Sequence, residues 1–153
     1  MTDSARLVVS SGRLDGGLHR LPIRVYYEDT DAGGIVFYAN YLRYTERART
    51  DMLRLIGITQ SRLAEDDGLI FAVRRCEIDY RAPARLDDEL EVRSRLTHVG
   101  GASLDAAQSI FRDGERLVDS TLAIACIGRD GRPRRLPPPI RTALSACVTP
   151  PGA

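Results

Sequence analysis

Lysine is absent from this chain: all 22 basic residues are arginine. Mechanisms that need a Schiff-base lysine or the lysine of a phosphate-binding loop are therefore excluded. Cysteine is sparse. Cys76, Cys126 and Cys147 stand far apart without a C-x-x-C pair, so neither a disulfide framework nor a zinc knuckle is indicated. The two histidines, His19 and His98, and the lack of a G-x-S-x-G run leave no serine triad to assemble. Long hydrophobic runs are missing too. Near the N-terminus only Leu7 to Val9 is apolar, too short for a signal peptide or a membrane span, so a cytoplasmic protein without a membrane span is expected. A net charge of +1 gives no reason to expect nucleic acid as a partner.

The composition is 43% hydrophobic and 28% charged over 153 residues. A chain of this length folds as one domain and buries roughly 68 to 70% of its unfolded surface. No repeat is present, and no internal linker divides the middle of the chain. Residues 1–20 lack a sustained period and residues 133–153 are proline-rich, so both read as tails around a domain at 21–132. His19 and Cys147 fall in those tails.

Within the domain, Ile23 to Tyr27 reads as a short strand running into the acidic, glycine-rich loop Glu28 to Gly34. From Tyr38 the apolar positions Tyr41, Leu42, Thr45, Ala48, Met52, Leu55 and Ile56 recur every three to four residues, which predicts one amphipathic helix. Asn40 suits its N-cap, Arg47 and Asp51 are spaced as an i,i+4 pair, and Gly57 sits at the left-handed position after the C-terminus. Gln60 to Asp67 predicts a further helical turn. Thereafter the period falls to two. Cys76, Ile78 and Tyr80 alternate with charged residues, as do Leu90, Val92, Ser94 and Leu96. Gly100-Gly101 and Asp113-Gly114 predict tight hairpin turns between strands near 89–99, 102–112 and 115–127. Cys76 and Cys126 read as core thiols, and His98 as a surface or packing residue. The expected fold is α+β, a five-stranded antiparallel sheet wrapped around one long helix. Its open edges favour pairing into a homodimer or homotetramer.

The loop Asp29-Thr30-Asp31-Ala32-Gly33-Gly34 admits several chemistries. An EF-hand counted from Asp29 would need an oxygen ligand at its fifth position and Glu at its twelfth, where Gly33 and Asn40 stand. An aspartyl phosphotransferase would need a lysine. A carboxylate placed before a helix N-terminus suits acyl transfer, because free N–H groups and the helix dipole stabilise an oxyanion. Spacing alone does not separate that role from ordinary caps and turns.

Residues 24 to 41, RVYYEDTDAGGIVFYANY, resemble the signature of the 4-hydroxybenzoyl-CoA thioesterase family, in particular its Tol-Pal-associated acyl-CoA thioesterases. The likeness continues through YLRYTERARTDML on the helix and through CEIDYRAPARLDDELEV. It implies a hotdog fold and hydrolysis of an acyl-CoA or acyl-carrier-protein thioester, with no metal or cofactor. Asp31 would act as nucleophile or general base, and the Tyr38 backbone N–H would polarise the thioester carbonyl. The same resemblance suggests that Gly33 and Gly34 let the acyl chain or pantetheine arm approach the backbone. Arg81 and Arg85, flanking the break at Ala82-Pro83, would meet the phosphates of coenzyme A. The active site of such enzymes lies between subunits, so Phe71 and Val73 of a partner would line the acyl pocket. One departure stands out: Tyr38 occupies a position where that subgroup usually has histidine. A non-catalytic acyl-carrier module is the alternative, and Asp31 argues against it; a hotdog dehydratase would want an Asp and His pair, and no histidine lies between 20 and 97.

Overall fold

The computed structural model describes residues 5–149. Three helices and six strands follow in the order β1 (Arg13–Asp15), β2 (Leu18–Arg24), α1 (Asn40–Leu55), α2 (Gln60–Asp67), β3 (Ile70–Tyr80), β4 (Glu89–Val99), β5 (Ser103–Arg112), β6 (Glu115–Ile127) and α3 (Pro138–Ser145). All strand pairs are antiparallel, in the spatial order β1-β2-β4-β5-β6-β3. The sheet wraps α1 in the hotdog arrangement, with six strands instead of five.

The β4–β5–β6 meander matches its expected limits to within a residue. Asp113 and Gly114, with φ of 49° and 81°, form the two-residue turn between β5 and β6. Such a turn requires positive φ at both positions, which aspartate tolerates and glycine adopts freely. Along β4 and β5 every second residue is buried, so Leu90, Val92, Ser94, Leu96, Leu104, Ala106, Gln108 and Ile110 face the helix.

Helix α1 turns a slightly different face inward than its hydrophobic rhythm implies. Tyr41, Tyr44, Thr45, Ala48, Met52 and Leu53 are buried, whereas Leu42 and Leu55 are each 42% exposed. Ala48 is wholly buried, and its small side chain lets the helix backbone lie close over the sheet. Gly57, at φ 87°, follows the last turn as expected. Asn40 does not cap the helix. Ala39 holds that position, and the Asn40 amide is spent on Asp29 instead.

Both ends read as tails contribute structure. The first strand of the sheet core begins at Leu18, and β1 precedes it. His19 is fully buried on β2, its Nε2 2.6 Å from Asp51 Oδ2, and the same carboxylate oxygen accepts the Gly12 N–H at 2.9 Å. Asp51 thus ties β2 and the N-terminal segment to α1, and the anticipated Arg47–Asp51 pair is replaced by this longer-range bond. A tail reading missed it because His19 has no apolar periodicity around it. Truncating His19 to Ala is expected to cost about 2–4 kcal/mol, since it opens a cavity and strands a largely buried carboxylate. Urea unfolding of the variant measures it.

At the other end Leu136, Leu144 and Cys147 are buried against β4 and the far core, and the Thr149 N–H donates to the Leu96 carbonyl. Proline at positions 137 to 139 starts α3, where the first N–H groups have no helical acceptor to lose. The prolines read as tail punctuation are therefore a helix N-terminus.

Strand β3 departs most from expectation. Among the described residues it pairs only with β6, forms one edge of the sheet and is exposed along most of its length. Cys76 is accordingly exposed and is not a core thiol, whereas Cys126 is buried. Alternation says that one face of a strand is apolar, but not what covers it.

Candidate active site

The acidic loop is a built structure. After β2 the chain makes a single 3-10 turn at Tyr27–Asp29. The Asp29 carboxylate accepts the Tyr26 N–H and the Asn40 side-chain amide, each at 2.8 Å, and the Asp29 carbonyl accepts the Phe37 N–H at 3.0 Å. Asp29 therefore closes the loop at both ends. Burial, then the neighbouring Asp29 carboxylate, pushes the Tyr44 hydroxyl upward, so this phenol stays neutral beneath the loop.

Between those ends the chain doubles back. Thr30 pairs with Val36, the Asp31 N–H donates to the Ile35 carbonyl at 2.9 Å, and the Gly34 N–H returns to the Asp31 carbonyl at 3.0 Å. Gly34 sits at φ 76°, the conformation that closes this turn and that a side chain would strain. The Asp31 carboxylate is exposed and its Oδ1 accepts the Gly33 N–H at 2.8 Å. A Cβ added at Gly33 would lie 3.2 Å from that oxygen, so the glycine leaves the carboxylate room.

Seven residues after Asp31, Tyr38 stands just before Ala39, the cap of α1. Among the described residues the Tyr38 N–H donates to no acceptor, and it stands at the positive end of the helix dipole. The Tyr38 carbonyl is held by the Tyr80 hydroxyl from the end of β3, at 2.9 Å. Around them runs an aromatic wall: Phe37 and Tyr38 have ring centroids 4.8 Å apart, Tyr38 and Tyr80 6.3 Å, Tyr80 and Tyr41 5.6 Å. Phe37, Tyr38 and Tyr80 all remain substantially exposed. An exposed carboxylate, a free N–H at a helix N-terminus and an apolar wall can together hold a carbonyl compound and attack it or activate water toward it.

The loop after β3 supports this arrangement from below. Ile35 pairs with Arg85, the Val36 N–H donates to Ala84, and the Ala84 N–H donates to the Tyr41 hydroxyl. Asp88 accepts the Arg85 N–H at 2.8 Å and an Arg112 guanidinium N–H at 2.7 Å. Burial alone would raise the Asp88 carboxyl, but these bonds hold it below its ordinary value. A carboxyl depressed on folding contributes stability that is present above its unfolded pKa of about 4 and is lost as pH falls through the lower folded value. The melting temperature should therefore drop on acidification below about pH 4, and Asp88→Asn should flatten that drop.

The expected coenzyme-binding arginines fare differently. Arg85 adjoins the acidic loop through its backbone, whereas Arg81 is engaged with Asp119 at 2.8 Å. Phe71 and Val73 lie away from Asp31 in this protomer: they line a cavity of about 210 Å³ between α1 and the sheet, with Met52, Leu53 and Arg49. Sequence reasoning missed Asp29 and Tyr80 as supports of the site. Asp29 looked like one more acidic loop residue, and nothing in the alternation along β3 marks Tyr80 as reaching the helix N-terminus.

The sequence on this fold places the chain in a known class. Residues 33–118 match the model of the thioesterase superfamily (4HBT), and the chain belongs to that family. It is 45% identical over 114 residues to the acyl-CoA thioesterase YbgC of Haemophilus influenzae, covering 74% of this chain and 83% of that one. It is 43% identical over 122 residues to the acyl-CoA thioester hydrolase YbgC of Escherichia coli O6:H1, covering 78% and 90%. Among solved structures, a probable thioesterase from Bartonella henselae superposes with a TM-score of 0.76 at 38% identity, over 78% of this chain and 99% of that one.

Proposed function

We propose that this protein hydrolyses the thioester of an acyl-CoA to the free acid and coenzyme A. The relatives named above as acyl-CoA thioesterases support the reaction class. The observation that carries the assignment to a site is that the exposed Asp31 carboxylate and the unengaged Tyr38 N–H lie on the one loop closed by Asp29 before α1.

The substrate carbonyl accepts the Tyr38 N–H, and the dipole of α1 adds to its polarisation. A donor of this kind typically lowers the barrier by ~3 to 4 kcal/mol. Asp31 attacks the carbonyl carbon, the C–S bond breaks to release coenzyme A as the thiol, and water hydrolyses the resulting mixed anhydride to the free acid and the Asp31 carboxylate. Alternatively, Asp31 takes a proton from the water that attacks the carbonyl, and that proton leaves with the coenzyme A sulfur. Gly33 keeps the carboxylate unobstructed, and Gly34 provides the turn that presents it. Arg85 would meet the phosphates of coenzyme A, whereas Arg81 must first release Asp119.

The proposal includes a homodimer. Strand β3 is 11 residues long and unpaired on its outer side among the described residues, and its side chains Ile70 and Val73 are each nearly half exposed. Pairing with a second copy there removes exposed backbone groups and brings the partner's Phe71–Val73 segment to the site. Cytoplasmic residence, where acyl-CoA is made, belongs to the same reading; no helix among the described residues is long and apolar enough to cross a membrane.

The test is thiol release from short, long and aromatic acyl-CoAs, run beside light-scattering mass measurement. Turnover of at least one substrate by a dimeric or tetrameric protein is expected. Binding without turnover on every acyl-CoA would point to a carrier module, and an active monomer would refute the shared site.

A further inference from the structure

The cavity that receives Phe71 and Val73 has an uneven lining. Met52, Leu53, Leu96, Leu104, Ala106 and Ile124 make most of it apolar. At one end lies Arg49, whose side chain is only 14% exposed. A guanidinium so withdrawn from water ordinarily has a carboxylate close by, because an isolated buried charge is costly. Arg49 has that compensation only in part, from a long ion pair with an exposed carboxylate. One nitrogen donates to the neutral Gln108 Oε1 at 2.9 Å, and another reaches Glu46, itself 72% exposed, at 3.4 Å.

Gln108 cannot supply the missing charge. Its amide is committed to the Thr45 carbonyl and the Ser94 hydroxyl, so it serves to hold its own oxygen toward Arg49. With five N–H donors in a planar fork, the guanidinium keeps donors unmatched by any acceptor among the described residues. Burial correspondingly pulls its pKa below the ordinary arginine value.

We infer that the cavity between α1 and the sheet is a binding site for a short aliphatic carboxylate, its chain against the apolar lining and its carboxylate on Arg49. The fork matches a carboxylate in two parallel hydrogen bonds, which neither a hydroxyl nor an amide reproduces. The ligand has two sources, a free acid or the far end of a dicarboxylic acyl group. The second source rests on the thioesterase reading; the site itself rests on the cavity and Arg49.

Calorimetric titration of the full chain with hexanoate and with hexanamide tests the site. Hexanoate should bind at least about tenfold tighter, the scale of one charge-assisted hydrogen bond. Arg49→Gln should erase the difference. Arg49→Lys, which keeps a cation but not the planar fork, should weaken hexanoate and leave hexanamide unchanged, which keeps the test open if Arg49→Gln folds poorly. Equal binding of acid and amide, no saturable binding of hexanoate, or hexanoate binding unchanged in a folded Arg49→Gln protein would overturn the inference. The same outcomes follow if a carboxylate from a second copy already fills the fork. Faster hydrolysis of adipoyl-CoA than of hexanoyl-CoA, lost with Arg49→Gln, assigns the carboxylate to the acyl group. Hexanoate binding without that preference assigns it to a free acid. If no acyl-CoA is turned over, the thioesterase reading fails while the titration still decides the site.

Discussion

Asp31→Asn is expected to lower thioester hydrolysis by more than about a hundredfold, equivalent to ~2.7 kcal/mol of barrier, with no change in melting temperature. The structural reason is the separation of roles within the loop. Asp31 is exposed, and its one side-chain hydrogen bond comes from the Gly33 N–H, which an asparagine oxygen accepts equally well. The fold therefore loses nothing, whereas the chemistry loses its only carboxylate on that turn. Substrate affinity should be retained, because the Tyr38 N–H and the aromatic wall remain. Steady-state kinetics and calorimetry on the same preparations check it. Undiminished turnover in the variant would remove Asp31 from the mechanism.

Asp29→Ala should produce the opposite pattern of effects. Its carboxylate satisfies the Tyr26 N–H and the amide of Asn40, a residue only 8% exposed. Removing it strands the part-buried Asn40 amide, whereas the exposed Tyr26 N–H can turn to water. We expect a loss of about 1–3 kcal/mol in stability and at least a tenfold fall in turnover, since the loop that presents Asp31 is released at both ends. Lowering the temperature should restore part of the activity of Asp29→Ala and none of that of Asp31→Asn. Thermal melting and turnover at two temperatures distinguish them. A stable but dead Asp29→Ala protein would reverse the assignment of the two aspartates.

The parts of this protein that were legible in its sequence are those fixed by local rules. The β4–β5–β6 meander follows from strict alternation and from Asp113-Gly114, whose positive φ few other pairs adopt so readily. Helix α1 follows from its apolar stripe and ends where Gly57 ends it. Contacts between distant segments left no such trace. His19 looks like a tail residue until Asp51, on α1, is seen to accept from it. Leu144 and Cys147 follow a proline cluster that reads as a tail but begins α3. The exposed face of β3 gives Cys76 the alternation of a core residue with nothing in the protomer to cover it. At the site, the motif pointed to Asp31 and Tyr38. It said nothing of Asp29 and Tyr80, whose work is to hold the two ends of the loop and the helix entry in place.

The most direct test is a crystal structure of the Asp31→Asn protein with a slowly hydrolysed acyl-CoA bound. The account predicts the thioester oxygen about 2.7–3.1 Å from the Tyr38 nitrogen, with the carbonyl carbon facing the side chain at position 31. A thioester bound elsewhere, with the Tyr38 N–H unengaged, would contradict it.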